Sequence, residues 1–239
     1  MYKPCYMPNT LIFTATYNEA DNIAKFLDKL LSINSNLNIL IIDDNSPDKT
    51  YEIIEEYSKK YKNIKLILRD SKLGLDTAHK YAYTFAKKNN YEKLITMDAD
   101  MSHDPDEIPK MIKILDDKPF VIGSRYVEGG KCEMSIFRLF LSVLGNRFIK
   151  YISKINSEEF TTSFRGFNLN MLTDFDLNNV RSKGYSFFME SIFNLDNHSI
   201  NIHQIPIYFK NRTQGKSKIP KLEILRTLKN LFILKYFRK

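Results

Sequence analysis

Short apolar runs alternate with segments of helical period along the first 125 residues. The run TLIFTAT (10–16) is apolar and β-branched and stops at the polar YNEADN. EADNIAKFLDKLLS then places apolar residues at 23, 24, 27, 30 and 31, the spacing of one helix face. NILIIDD (38–44) reads as a second buried strand. SPDKTYEIIEEYSKKY reads as a helix, with Ser46 as its cap and Pro47 in its first turn. IKLILRD (64–70), KLITMDAD (93–100) and FVIGSRY (120–126) supply three more strands, separated by the helical segments GLDTAHKYAYTFAKK and DPDEIPKMIKILDD. This alternation predicts a doubly wound α/β fold: a mostly parallel sheet with helices on both faces.

Beyond Gly129-Gly130 the alternation stops. MSIFRLFLSVLGNRFIKYIS is a long helix with apolar and basic residues interleaved, and the Thr/Ser-rich EEFTTSFRGF follows it. A helix near YSFFMESIFNL, a strand INIHQIPIYF and a loop KNRTQGKSK lead to Pro220, which opens a last helix. The division expected is one catalytic domain over residues 1–218 and a basic amphipathic helix over 219–239.

Charge sharpens that division. The 239 residues carry a net +8, but Phe209–Lys239 holds ten Lys/Arg and one acid, so the remaining 208 residues sum to −1. Basicity confined to a tail argues against a nucleic-acid surface spread over the fold, and no base-reading motif is seen. It argues instead for a tail that meets something anionic. Leu222, Leu225, Leu228, Leu231, Phe232 and Tyr236, with Lys and Arg between them, have the pattern of a helix lying on an anionic membrane surface. The longest unbroken apolar run there, LFIL (231–234), is far short of the roughly 20 residues of a membrane span. The first ten residues lack a charged segment followed by an apolar one, so no secretion signal is expected. Cys5 and Cys132 show no metal spacing and the four histidines no ligand pattern, so a reducing, cytoplasmic setting is expected.

Candidate chemistry gathers at the strand ends: ATYNE, IIDDNS, MDADMS and GSRY. In open α/β sheets ligands bind beyond the carboxyl ends of strands. Within MDADMSHDPDE (97–107), Asp98 and Asp100 stand two apart at a strand end, so alternation places both carboxylates on one side. Two hard oxygen ligands suit Mg²⁺ or Mn²⁺, which keep water and phosphate oxygens as their other ligands. Asp104, before Pro105 and three residues ahead of Glu107, reads as a helix cap with its capping-box partner. A lone D-x-D is more often a polar turn than a metal site.

The order of the segments adds a resemblance. TATYNEADNI, IIDDNSPDKT, KLGL, MDADMSHDPDEIP, VIGSRYVEGG, SFRGF, KGYSFFME and IPIYFKNRTQGKSK resemble, in sequence order, the family-2 glycosyltransferases. They look most like the dolichol-phosphate mannose synthases and related polyprenyl-phosphate glycosyltransferases, from Thr10 to about Lys218. That resemblance implies a sugar-nucleotide pocket built from Ala15, Tyr17 and Glu19 with Ile42 and Asp44. It implies that Asp98, Ala99 and Asp100 bring a divalent cation to the diphosphate, with Ser102 near the same ion. Arg125, Arg212 and Lys218 would add positive charge around the phosphates, Asp100 and Arg125 being the catalytic pair. Arg138 and Ser142 would meet the acceptor's phosphate. The sequence departs from the family pattern at Ala15, Asp76, Met134, Glu159 and Thr162.

The reaction so implied moves a hexose, mannose from GDP-mannose first among them, to a polyprenyl monophosphate with inversion. An acceptor that is already anionic needs no general base, which fits a chain without a Ser/His/Asp or Cys/His constellation. The resemblance also implies work at the cytoplasmic face of a membrane, held there by the tail or by a membrane-anchoring partner subunit. Two other readings remain at this point: a relative using another donor such as UDP-glucose, and a metal-dependent phosphohydrolase, for which His103 is the one base near the aspartates in sequence.

Overall fold

The structure, a computed structural model, describes residues 9–211 and 223–237. Pro220, Arg212 and Lys218 lie outside the described residues. In chain order the elements are β1 (Thr10–Thr16), α1 (Ala20–Ile33), β2 (Asn38–Asp43), α2 (Thr50–Lys60), β3 (Ile64–Leu68), α3 (Leu75–Lys88), β4 (Lys93–Thr96), α4 (Ile108–Ile114), β5 (Phe120–Ser124), β6 (Lys131–Cys132), α5 (Ile136–Ser153), β7 (Arg165–Asn168), α6 (Tyr185–Asn197), β8 (His203–Pro206), β9 (Tyr208–Phe209) and α7 (Glu223–Phe237).

Seven strands form one sheet in the order β3-β2-β1-β4-β7-β5-β8. All pairings are parallel except those of β7, which runs antiparallel between β4 and β5. Period-two alternation sorts the side chains. Leu11, Phe13, Leu40 and Ile42 pack with α3, α5, α6 and α7, while Ile12, Ile39 and Ile41 pack with α1, α2 and α4. The doubly wound core expected from the sequence is therefore present.

The chain lays down β1, β2 and β3 outward in one direction, then returns to place β4 on the other side of β1. That reversal opens a crevice beyond the carboxyl ends of β1 and β4, the switch point of an open α/β sheet. The acidic turn after β4 and the YNE turn after β1 both meet there.

Four local expectations are corrected. β4 ends at Thr96, so Asp98 and Asp100 stand on a turn, and strand alternation does not orient them. Ser46 does not cap α2: its N–H and hydroxyl both donate to Asp43, Lys49 is left-handed with φ 63°, and the helix starts at Thr50. Lys49 holds the cap position without a side-chain bond, and Asp48 before it accepts the Thr50 N–H at 3.1 Å. Asp104 does cap the short 3-10 turn Pro105–Glu107 through the Asp106 N–H, but Glu107 pairs with Lys110 instead of closing a box. INIHQIPIYF divides into β8 and β9, which belong to different sheets.

β7 is the strand the sequence hides. Gly166 lies where a Cβ would come within 2.8 Å of Leu115 and Val121, so only glycine lets β7 sit between its neighbours. Arg165 is fully buried, donating to the carbonyls of Thr162 (2.8 Å), Phe160 (3.2 Å) and Phe188 (2.9 Å) and to the Ser191 hydroxyl. It ties the segment before β7 to α6.

A second buried base has a measurable signature. His79 on α3 packs edge-on against Phe13 and Phe188, each 5.0 Å away between ring centres. Burial, with the nearby Arg165 cation, pulls its pKa down to about 3. The unfolded chain takes up this proton below its ordinary value of about 6.5, whereas the folded chain does not, so stability falls as pH drops through that window. Between pH 7 and pH 5 the expected loss is about 2 kcal/mol. Urea unfolding of the protein and of His79→Leu at both pH values measures it. The variant should lose about 2 kcal/mol less; parallel losses would mean that His79 is protonated in the folded state.

Candidate active site

Two turns frame the crevice and are stitched together. Asp43, wholly buried, accepts from Thr16 Oγ1 at 2.7 Å and from the Ser46 N–H and hydroxyl. Ser46 Oγ accepts the Asn18 N–H at 3.0 Å, Thr50 Oγ1 the Glu19 N–H at 2.9 Å, and Asp48 the Ala20 N–H at 3.0 Å. Asn18 and Asn45 both hold positive φ, which a short amide side chain tolerates better than most. The turn carrying Tyr17 and Glu19 is thus fixed by the turn after β2. Ala15 and Tyr17 are partly exposed, Ile42 is buried, and Lys72 lies 3.9 Å over the Tyr17 ring.

Asp44, expected to meet the base or ribose, is largely buried beside Arg69 and accepts the Gly74 N–H at 3.1 Å. Arg69 also donates to Thr77 Oγ1 and the Gly74 carbonyl. The pair locks β2 to the start of α3. Nearby, Asp76 accepts the Gly184 N–H at 3.3 Å, joining α3 to the turn before α6.

The acidic turn is held from three sides. Asp100 Oδ1 accepts both the N–H (3.0 Å) and the hydroxyl (2.6 Å) of Ser102, and Met101 takes φ 63° to allow it. Ser163, on the segment entering β7, donates its hydroxyl to Asp98 Oδ1 at 2.7 Å. The Asp98 N–H points at His103 Nδ1 (3.3 Å), and His103 Nε2 lies 3.2 Å from Thr162 Oγ1. An Nδ1 that accepts leaves the proton on Nε2, so this histidine is a neutral brace between the two segments. Burial pushes its pKa down, against the pull of Asp98 and Asp100. Ser102 therefore serves the turn's geometry. Asp100 is buried, and the Asp98 side chain is the more exposed of the two carboxylates at 37%.

Arg125 follows β5 and forms a buried ion pair with Glu159, Nε to Oε2 at 2.9 Å. Glu159 Oε1 also accepts the N–H and hydroxyl of Thr161. The guanidinium sits 4.6 Å over Phe209 and 5.1 Å from the Tyr126 ring. Burial disfavours its charge most strongly, but Glu159, Tyr126 and Cys132 together outweigh that, and its pKa lies above the ordinary arginine value. Tyr126 Oη meets Ser142 Oγ at 2.5 Å, which brings α5 to the same edge of the site. Arg138, one turn before Ser142, is exposed.

The structure thus gathers Ala15, Tyr17, Glu19, Asp44, Asp98, Ala99, Asp100, Arg125 and Ser142 along one edge of the sheet. Sequence reasoning did not assign Arg69, Glu159, Thr162 and Ser163 to it. A buried acid paired across 34 residues leaves no periodic signal, although the polar cluster TTS before a short strand is a usable hint. No three of His, Cys, Asp and Glu converge as a closed metal cage among the described residues. What Asp98 and Asp100 fit, as hard carboxylates on a rigid turn beside an open crevice, is an ion that completes its shell with water and phosphate oxygens.

A model of the family described as "Glycosyl transferase family 2" matches residues 11–174. A polyprenol monophosphomannose synthase of Mycolicibacterium smegmatis is 30% identical over 88% of this chain and 80% of its own length. An undecaprenyl-phosphate mannosyltransferase of Micrococcus luteus is 29% identical over 87% of this chain and 86% of its own. Among solved structures, a mannosyltransferase of Pyrobaculum calidifontis in complex with GDP-Man and Mn²⁺ shares the fold, with TM-score 0.55 at 16% identity over 99% of this chain and 72% of that one.

Proposed function

The chain belongs to glycosyl transferase family 2, and we propose that it moves a mannosyl group from GDP-mannose to a polyprenyl monophosphate at the cytoplasmic face of a membrane. The acidic turn carries this reading: Asp98 and Asp100, braced by Ser163, Ser102 and His103, stand at the switch point where a nucleotide diphosphate binds in folds of this kind. The two relatives whose names specify mannose and a polyprenyl phosphate support the substrates. Residues 1–218 form the catalytic domain in this reading.

Asp98 and Asp100 would hold Mg²⁺ or Mn²⁺, which when bound neutralises charge on the leaving diphosphate. The turns after β1 and β2 hold the nucleoside, with Tyr17, Glu19 and Asp44 along its path. Arg125, together with Arg212 and Lys218, supplies cations toward the phosphates, and Arg138 and Ser142 receive the acceptor's phosphate. An acceptor phosphate oxygen attacks the anomeric carbon, the bond from that carbon to the diphosphate oxygen breaks, and GDP departs with the bonding pair. Attack opposite the leaving group inverts the anomeric centre. No proton needs removal from the acceptor, so the site requires orientation and charge in place of a base.

His103 cannot serve the phosphohydrolase reading. Its ring is 1% exposed, and its two nitrogens face the Asp98 N–H and Thr162 Oγ1.

A donor screen tests the proposal. With a polyprenyl phosphate and Mn²⁺ or Mg²⁺, GDP-mannose should yield a mannosyl-phosphoryl lipid of inverted configuration, and a chelator should stop it. Transfer from UDP-glucose but not from GDP-mannose would replace the sugar and keep the fold of the argument. Release of free sugar at the same rate with and without acceptor would overturn it.

A further inference from the structure

Lys210 touches the acidic turn twice. Its N–H donates to the Ser102 carbonyl at 3.1 Å, and its ammonium meets Asp104 at 2.7 Å. Between Ser102 and Asp104 lies His103, and the ring of Phe209, the residue before Lys210, stands edge-on to it with 5.5 Å between ring centres. The same Phe209 ring carries the Arg125 guanidinium 4.6 Å over its face. The dipeptide Phe209-Lys210 therefore bears on both the acidic turn and Arg125.

Backbone pairing alone does not hold it there. β9 pairs with β6 over two residues, outside the seven-stranded sheet, and so short a ladder is weak in water. Glu133, just past β6, supplies what the ladder lacks. Its N–H donates to the Phe209 carbonyl at 3.0 Å. Its carboxylate accepts the Asn211 N–H at 2.8 Å and the Tyr208 hydroxyl, and its carbonyl accepts from Asn211 Nδ2 at 2.9 Å. The chain is thus fixed on either side of Lys210, and the ammonium reaches Asp104 from an anchored backbone.

What Lys210 fixes in turn is a direction. Ser102 gives its N–H and its hydroxyl to Asp100 Oδ1, so the setting of that carboxylate follows the position of Ser102. The Ser102 carbonyl is the group that the Lys210 N–H holds. Asp104, two residues on, closes the far side, accepting the Asp106 N–H at 3.1 Å as well as the Lys210 ammonium. Burial works against the charge of Asp104, but Lys210, the Asp106 N–H and Lys29 together outweigh it, and its pKa lies below the ordinary carboxylate value. With side chains 41% and 26% exposed, this ion pair adds little to overall stability. It is poorly placed to hold the fold and well placed to hold a turn.

We propose that Lys210 is a positioning residue for the donor site: paired with Asp104, it sets the Asp100 carboxylate for the divalent cation that meets the diphosphate. The proposal rests on the reading of Asp98 and Asp100 as ligands of that cation, and adds to it a residue that acts through the turn.

Calorimetric titration of the full chain with GDP at saturating Mn²⁺ is the test, with Tm measured alongside. Lys210→Met should weaken GDP binding about fivefold, the scale of one part-exposed ion pair, and shift Tm by no more than about 4 °C. Asp104→Asn keeps an oxygen for the Asp106 N–H and should weaken binding equally. Its sign separates two causes: losing a negative charge by itself tightens the binding of an anion, whereas losing the turn's position loosens it. The double variant should bind no more weakly than either single one, because the two side chains act as one unit. Lys210→Arg, which keeps the charge and the reach, should retain binding. Unchanged GDP binding in Lys210→Met, tighter binding in Asp104→Asn, or additive losses in the double variant overturns the proposal. So does a larger fall in Tm with GDP binding intact, the mark of a purely structural pair. No Mn²⁺-dependent binding of GDP or UDP by the unmodified protein overturns the reading of the acidic turn and the proposal with it. Mn²⁺-dependent binding there, with unaltered variants, removes the positioning role alone.

Discussion

Asp98→Asn and Asp100→Asn are each expected to lower transfer by about a hundredfold or more while leaving the fold intact, the scale on which a preorganised group facing developing charge acts. Asparagine is the informative replacement because of what each carboxylate already does. Asp100 Oδ1 accepts two donors from Ser102, and Asp98 Oδ1 accepts one from Ser163. An amide oxygen can accept all three bonds, so the turn keeps its shape while the site loses a negative charge. Thermal unfolding should therefore be nearly unchanged. Mn²⁺-dependent binding of GDP, followed by calorimetry, should weaken in both variants. Near-normal transfer by either would remove the acidic turn from the chemistry. A large loss of stability would show instead that the charge was structural.

The position of this turn was legible in the sequence, but its geometry was not. Apolar runs located every parallel strand of the core, because buried parallel strands must be apolar on both faces. KLITMDAD read four residues too long as a strand because Met97 and Ala99 are buried too, at 2% and 3%, although they belong to the turn. Alternation of apolar and acidic residues looks the same on a strand and on a turn pressed into a core. β7 was missed for the opposite reason. RGFN opens with a buried charge and a glycine, and its hydrogen-bond partners on β4 and β5 lie some 45 to 75 residues away. Glu190, bracketed by Phe188, Met189 and Ser191, is buried and accepts the N–H groups of Arg181 and Ser182. For α5 the apolar content was evident, but which face turns outward depends on the packing of Asn146, Ile149 and Ser153, and no sequence period reports it.

The Arg125–Glu159 pair separates a structural role from a chemical one. With side chains 10% and 1% exposed, the pair is buried, and Glu159 also holds the Thr161 N–H and hydroxyl. Glu159→Gln leaves the guanidinium in a low-dielectric site without its counter-charge. Breaking a buried pair from one side typically costs about 3–5 kcal/mol. For a chain of this length that corresponds to a fall in Tm of about 6–20 °C. Replacing both partners, Arg125→Met with Glu159→Met, removes the stranded charge along with the pair and should recover most of the lost stability, because well-packed apolar substitutes for buried ion pairs are often neutral. Transfer separates the roles. If Arg125 contributes its charge to the donor phosphates, the double variant stays far below the normal rate at a temperature where it is fully folded. A double variant that is both stable and fully active would confine the pair to holding the segment before β7 against β5. An unchanged Tm in Glu159→Gln would mean that water reaches the guanidinium and that the pair is not buried in solution.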